Sequence, residues 1–409
     1  MTPNALPRNR ISPVRFIVGF GIVSGLADVV YEGARSVIGP FLGSLGASAA
    51  VVGLVTGLGE ASALVLRLFT GRLSDRTGRP WPQTVIGYAL TAVCVPLIGL
   101  TSGLVPAALL YNGERVGKAV RTPARDTMLA HASARMGRGY AFGLHEALDQ
   151  TGAVAGPLLL AAALALGAGY RLAFAVLAVP GLAALLVLLR LRRAAPYPVD
   201  FEPSATVAEA KRLRLDSHLS RQFWMYSAFS VATMLGFSTW AVLAFHATRR
   251  HLVSDAAAPV LYAVAMAAAA GAAVGFGRLY DRVGLRGLVA LPPLAAAVPF
   301  LSFGSSVGVV TVGAVVWGAA MGAHESTMRA AVADLVPAHR RGAGFGTFTA
   351  VYGLAWLAGS VLIGALYERG PRDAAWFVVG VQVVALALLA SLLRYGRSHP
   401  APATRQNDA

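Results

Sequence analysis

Twelve stretches of this 409-residue chain are apolar over about the length that crosses a bilayer, roughly 17 to 25 residues when helical. They run over 16–42, 49–69, 83–100, 104–120, 140–166 and 172–191, then 223–245, 259–276, 288–303, 307–331, 344–367 and 374–393. In lipid a backbone N–H or C=O has no water to bond with, so a single apolar run crosses as an α-helix. The expected fold class is therefore all-α, a polytopic membrane protein with twelve transmembrane helices.

Composition excludes the other broad classes. Hydrophobic residues make up 56% of the chain and charged ones 13%, against roughly 25% charged in a soluble domain. Disorder needs the opposite balance, and a disulfide framework is ruled out because Cys94 is the only cysteine. The net charge of +16 raises nucleic acid as a partner, but the basic residues lie between apolar runs rather than on one surface, so no nucleic-acid binding is expected.

Those basic residues occupy alternate connections: the N-terminus, 71–79, 121–138, 192–221, 277–286, 339–341 and the tail after 394. The intervening loops around Gly46, Ser102, Gly167 and Ser305 are short and nearly uncharged, with Arg249, Arg250, Arg369 and Arg372 as exceptions. This bias predicts that both termini are cytoplasmic. The N-terminus carries no cleavable signal pattern. Arg-heavy, Lys-poor usage suggests a GC-rich bacterial genome, and hence the bacterial inner membrane.

The chain repeats itself. GRLSDRTGR at 71–79 recurs as GRLYDRVGLR at 277–286, with Gly, Arg, Leu, Asp, Arg and Gly in register. A second echo pairs Phe142, Gly143 and Gly156 with Phe345, Gly346 and Gly359 at the same separation. Two six-helix halves entered in the same orientation follow. The organisation expected is an N-terminal bundle at 1–191, a cytoplasmic linker at 192–221, a C-terminal bundle at 222–398 and a flexible tail at 399–409.

The Gly-x-Leu-x-Asp-Arg-x-Gly-Arg pattern resembles the signature loop of the major facilitator superfamily, and the likeness extends over span count, linker and both loop copies. It implies a secondary transporter whose halves rock about a central site. It also implies a conformational latch made of Gly71, Asp75, Arg76, Gly78 and Arg79, with Arg121 and Arg125 facing it and Gly277, Asp281 and Arg282 in the second copy. Gly71 and Gly78 are expected to let the backbone turn tightly. Gly152, Gly156 and Pro157 in the fifth candidate helix resemble part of the family's antiporter motif, in which small residues let helices approach and proline kinks them. The usual paired glycines are replaced by Leu160 and Ala161.

Ionisable groups inside a membrane segment are costly and are functional candidates by default. Asp28, Glu32 and Arg35 share one face of the first helix with Tyr31 nearby, and Glu32 followed by Asp28 are the first candidates for proton exchange. A permanent Glu32–Arg35 ion pair is the structural alternative. Glu60 has no basic neighbour on its own helix before Arg67. Arg115 stands where the superfamily's fourth-helix motif has an arginine of proton-coupling type, although Val116, Gly117 and Lys118 replace the residues that normally follow. His145 and Asp149, four apart, suit a proton relay or a structural hydrogen bond, with Glu146 beside them. In the second half His324 and Glu325 form the main cluster, and Trp240, Tyr352 and Trp356 are candidate cavity aromatics.

No metal-ligand spacing and no Gly-x-x-x-x-Gly-Lys phosphate loop occurs, so neither cofactor nor ATP is expected. An enzyme would need a nucleophile and base that are not found. The expectation is a monomeric, proton-coupled exporter of small organic compounds, with a proton symporter importing a metabolite, and then a non-transporting sensor or scaffold, as alternatives.

Overall fold

A computed structural model of the chain describes residues 9–133, 138–201, 219–336 and 341–398. No strand occurs among the described residues, and the helices line up as twelve rods. The first bundle holds α1 (Pro13–Ser44), α2 (Ala49–Val65, continued by Arg67–Thr77), α3 (Pro80–Ile98), α4 (Leu104–Ser133), α5 (Arg138–Ala165) and α6 (Gly169–Val176, continued by Ala178–Ala194). The second holds α7 (Arg221–Leu235, continued by Trp240–Arg249), α8 (Ala257–Val283), α9 (Leu291–Ser302), α10 (Val307–Leu335), α11 (Arg341–Arg369) and α12 (Pro371–Ser398). Ten helical stretches among the described residues are long and apolar enough to cross a membrane. That count joins α8 and α9, which part at a turn beginning with Gly284. It leaves out α4, whose apolar run is broken by Glu114, Arg115, Lys118 and Arg121.

Local chemistry sets the rod ends. Ser12, Ser48, Ser220 and Ser306 each precede a rod, and each side-chain oxygen accepts the N–H three residues on, at 3.4, 3.4, 3.1 and 3.4 Å. The repeated motif divides differently from the expectation. Only its second glycine is a turn, Gly78 at φ +59° and Gly284 at φ +60°. Gly71 and Gly277 lie inside helix, so the first half of each motif forms the last turns of α2 and α8. Arg, Leu and Ser tolerate helix there, and a left-handed residue is needed only where the helix stops. The Asp75 side chain, the linker residues 202–218 and the tail 399–409 lie outside the described residues.

The start of α1 meets the end of α6, where Arg10 N–H donates to Ala194 O at 2.7 Å. The start of α7 likewise meets the end of α12, with the Arg221 guanidinium over the Tyr395 ring at 4.9 Å. We call this the linker end. At the opposite, far end the two bundles touch through glycine. A Cβ on Gly39 would strike the Ala241 backbone of α7, and one on Gly53 the Ser360 backbone of α11. Glu368 of α11 accepts the Ala50 N–H at the start of α2 at 3.0 Å. On the linker side no residue from 271 to 279 of α8 is buried, and Gly271, Gly275 and Gly277 have no neighbour within 4 Å where a Cβ would stand. The bundles thus meet at the far end, and towards the linker end α11 still packs on α2, where a Cβ on Gly346 would strike Leu68, while 271–279 of α8 stays unburied.

Within the first bundle α5 lies directly on α1. A Cβ on Gly152 would enter the Gly25 backbone, and one on Gly156 would meet Val29 and Gly33. Gly359 meets Leu235 in the corresponding crossing of α11 on α7, so the second sequence echo marks equivalent helix contacts in both bundles. Gly152→Ala is expected to cost about 1–3 kcal/mol through overpacking. Gly380→Ala in α12, where a Cβ meets nothing within 4 Å, is expected to leave stability unchanged or raise it slightly. Thermal unfolding in detergent checks both.

Candidate functional site

The charged face of α1 is where the first bundle spends its polar groups. Asp28, Tyr31, Glu32 and Arg35 recur at helical spacing, and residues Val30 to Leu42 are buried all round, so this face meets protein rather than lipid. Arg35 Nη1 lies 3.7 Å from Glu32 Oε1 and its Nη2 lies 3.2 Å from Glu60 Oε1 of α2. The same Glu60 oxygen is 3.4 Å from Arg115 Nη1 of α4. Arg115 also pairs with Glu114 at 2.5 Å, and Glu114 with Arg121 at 3.7 Å. Three carboxylates and three guanidiniums thus alternate in one row across α1, α2 and α4. Alternation makes such a row tolerable in a low-dielectric interior, because each inner charge lies between two of opposite sign.

Neighbours hold the row in place. Tyr31 is clasped between the Arg115 guanidinium and the Lys118 ammonium, 3.9 and 3.8 Å from its ring centre, and its hydroxyl accepts from Arg35 at 3.0 Å. Arg121 donates to Thr91 at 2.5 Å and covers the Tyr88 ring at 4.7 Å. At the other end Tyr262 of α8 donates its O–H to Glu32 Oε2 at 2.5 Å. That bond joins the row to the second bundle.

A second polar group lies towards the linker end. Ser24 Oγ is 2.8 Å from the Tyr88 hydroxyl and 3.0 Å from His145 Nε2, and accepts from Arg125 Nη1 at 3.2 Å. Arg125 pairs with Asp126 at 2.9 Å and reaches Asp149 at 4.0 Å, while His145 Nδ1 lies 3.9 Å from Asp149. Asp28 stands on α1 between the two groups and has no ion pair within 4.0 Å among the described residues. Glu146 is exposed and accepts from Gln150 at 3.1 Å.

The facing wall is aromatic. Trp240 of α7, Tyr262 of α8 and Trp317 of α10 pack their rings together, with centroids 4.9 to 6.1 Å apart. Trp240 donates Nε1–H to Ser36 O of α1 at 3.2 Å. Tyr352 and Trp356 of α11 meet edge to face, and the Arg35 guanidinium lies 5.8 Å from the Trp356 ring. Between the walls is a cavity lined by Arg35, Thr56, Glu60, Thr239, Trp240 and Trp356, among others.

The structure therefore brings together Glu32, Glu60, Arg35, Arg115 and Tyr31, with Trp240 and Trp356 opposite. His145 and Asp149 belong to the separate group around Ser24. Fully buried His324 packs between Phe237 and Tyr352, and Glu325 is exposed. Glu60 is flanked by two guanidiniums, both from other helices, which a reading along its own helix did not find. Arg121 and Arg125, expected to face the loop, turn into the first bundle instead. Arg76 and Arg79 are exposed. Sequence reasoning missed Tyr262, Thr239, Ser24 and Tyr88, since single hydroxyl or aromatic residues in apolar runs carry no pattern. Among the described residues no three His, Cys, Asp or Glu side chains converge to hold a metal.

The sequence pattern of the Major Facilitator Superfamily matches residues 20–303 and 253–409. An uncharacterized protein of Mycobacterium tuberculosis is 47% identical over 383 residues, covering 93% of this chain and 94% of that protein. An uncharacterized MFS-type transporter of Methanocaldococcus jannaschii is 24% identical over 362 residues, covering 86% and 88%. Among solved structures, a bacterial homolog of the human lysosomal transporter Spinster, inward-facing and occupied, superposes with a TM-score of 0.73 at 17% identity, over 96% of this chain and all of that one. A peptide transporter in complex with sulfate also gives 0.73, at 14% identity, over 94% of each chain.

Glu60 is shared by two guanidiniums, so Glu60→Gln leaves Arg35 and Arg115 short of charge inside the bundle. Breaking a buried pair from one side costs about 3–5 kcal/mol, and a thermal midpoint well below that of the unaltered protein is expected in detergent. An unchanged midpoint would show that the row does not hold α2 to α1 and α4.

Proposed function

The chain belongs to the Major Facilitator Superfamily, and on that premise we propose that this transporter is a proton-coupled antiporter that exports small organic compounds by alternating access. The bundles of residues 1–191 and 222–398 rock about the cavity between α1, α2, α7 and α11. Both termini and the linker face the cytoplasm of a bacterial cell, by the positive charge of the linker-end connections, and the protein sits in the inner membrane. On that orientation the unburied stretch of α8 lies at the inner side and the glycine contacts of α1 with α7 at the outer side.

The observation that carries the reading is the 2.5 Å hydrogen bond from Tyr262 to Glu32. Glu32 is one end of the charged row and the only member bonded in this way across the bundles among the described residues. Ionised, it accepts a charge-assisted bond from Tyr262 and pairs with Arg35; a neutral acid would keep a weaker acceptor and lose the pair. A proton taken up there weakens both contacts together, so the charge on one oxygen pair and the separation of the bundles become a single equilibrium. Asp28 and the Ser24–His145–Asp149 group lie along α1 towards the linker end and supply a route by which the proton leaves. Export is favoured over import by the Gly152–Gly156–Pro157 run, which packs α5 onto α1 beside Glu32.

The test uses purified protein in proteoliposomes, with a panel of compounds added on one side and proton movement followed in the lumen. Counter-movement of protons is expected, and Glu32→Gln is expected to reduce it by at least about tenfold, as for an essential acid–base group. Co-movement of substrate and protons replaces the exporter with an importer. Proton movement that survives Glu32→Gln removes Glu32 from the coupling.

A further inference from the structure

The turn between α11 and α12 carries positive charge at the far end, where this chain otherwise has little. Arg369 ends α11 and Arg372 stands in the first turn of α12. Both are exposed, and neither has an ion pair within 4.0 Å among the described residues. The two acids of the turn are occupied elsewhere. Glu368 accepts the Ala50 N–H of the first bundle at 3.0 Å. The Asp373 carboxylate folds back to 3.7 Å from where a Cβ on Gly370 would stand, at the start of α12, where the helix dipole favours an anion. Arginine is scarce on the side of a membrane away from the cytoplasm, so two without acidic partners call for an anion from another source.

The face of α12 beneath Arg372 indicates which source. Arg372, Trp376, Gly380, Val383 and Ala387 follow one another at helical spacing, and every one is exposed. Trp376, 64% exposed, is held edge to face on Phe300 of α9 at 5.7 Å, itself 47% exposed. A Cβ on Gly380 would meet nothing within 4 Å, which leaves a notch between the indole and Val383. At 1.5 Å per residue the indole lies about 6 Å and the notch about 12 Å deeper in the membrane than Arg372. Guanidinium, indole and apolar notch thus succeed one another in the order of a phospholipid's headgroup, ester level and acyl chain, and tryptophan favours the middle layer. The corresponding turn of the first bundle, before α6, has Arg171 alone, and the exposed side chains beneath it are aliphatic, Leu172, Val179 and Leu182.

We propose that the α11–α12 turn and the lipid-facing side of α12 form a site for one anionic phospholipid of the phosphatidylglycerol type, taken from the leaflet away from the cytoplasm. Arg369 and Arg372 hold the phosphate, as guanidiniums do in planar, bidentate fashion, and the Gly380 notch receives an acyl chain. The leaflet follows from the orientation given above, whereas the site depends on neither substrate nor coupling ion.

Trp376 reports on its own surroundings. Purified protein is placed in phosphatidylcholine vesicles containing rising fractions of dibrominated phosphatidylglycerol or, separately, dibrominated phosphatidylcholine, and the fluorescence quenching that disappears in Trp376→Phe is assigned to this indole. The brominated phosphatidylglycerol is expected to reach half its effect at a fraction about five- to tenfold lower, the scale of two guanidiniums acting on one anionic headgroup. Arg369→Gln combined with Arg372→Gln is expected to bring the two lipids to parity, while Arg171→Gln and millimolar inorganic phosphate leave the preference as it was. Circular dichroism of each variant excludes misfolding as the cause. Absence of a preference in the unaltered protein, or one that survives the double substitution, overturns the proposal. Loss of the preference in Arg171→Gln as well would reduce it to general surface charge and overturn the site, and displacement by inorganic phosphate would replace the lipid with a soluble anion.

Discussion

Six charged side chains in alternating order, Glu32, Arg35, Glu60, Arg115, Glu114 and Arg121, set the terms for the rest of the molecule. One such group in hydrocarbon costs several kcal/mol, and six unpaired ones could not be inserted at all. Lined up with opposite signs adjacent, they bring three helices into a fixed register, because a slip of α2 would part Glu60 from Arg35 and Arg115, the two pairs that join different helices. The α1 face that carries Glu32 and Arg35 can lie only where α2 and α4 supply partners. That requirement excludes α1 from the lipid-facing shell and places it beside the second bundle.

Close approach is the second constraint, and it is supplied by glycine. The charged row needs α1, α2 and α4 within side-chain reach, while α5 presses on α1 from the other side at Gly152 and Gly156. At the far end Gly39 and Gly53 let α7 and α11 come down to backbone contact. Such contacts add dispersion without polar groups, which suits a surface that must part and re-form. Closed packing at one end then coexists with the unburied stretch of α8 at the other.

Much of this was legible before any coordinates. Apolar runs mark helices because lipid imposes one backbone solution, and the repeated motif and the Gly156–Gly359 echo revealed the two bundles. The face of α1 was legible too, since Asp28, Glu32 and Arg35 lie on one helix at helical spacing. What sequence could not supply was partnership between helices. Glu60 looked isolated because its two guanidiniums come from α1 and α4. Tyr262 was indistinguishable from a packing aromatic until α8 was placed against α1. The misreading of Gly71 has a different source: a glycine inside helix and a glycine that ends one look the same in a motif, and only the neighbouring backbone separates them.

The same geometry bears on how the molecule can rock. All six members of the charged row belong to α1, α2 and α4, so the first bundle can move without breaking any of those pairs. Polar contacts that do cross between bundles include Tyr262 to Glu32, Trp240 to Ser36 and Ala50 to Glu368. Bonds of this kind contribute about 0.5–1.5 kcal/mol each when neutral and about 1.5–3 when charged. Their sum is a few kcal/mol, the range within which two conformations can both be populated and a ligand or a proton can choose between them. Had the row itself spanned the bundles, every cycle would have had to desolvate and re-pair buried charges, at a cost several times larger. Confining the ion pairs to one bundle, and meeting the other through the Tyr262 hydrogen bond and the Trp356 ring, leaves those pairs intact when the bundles move.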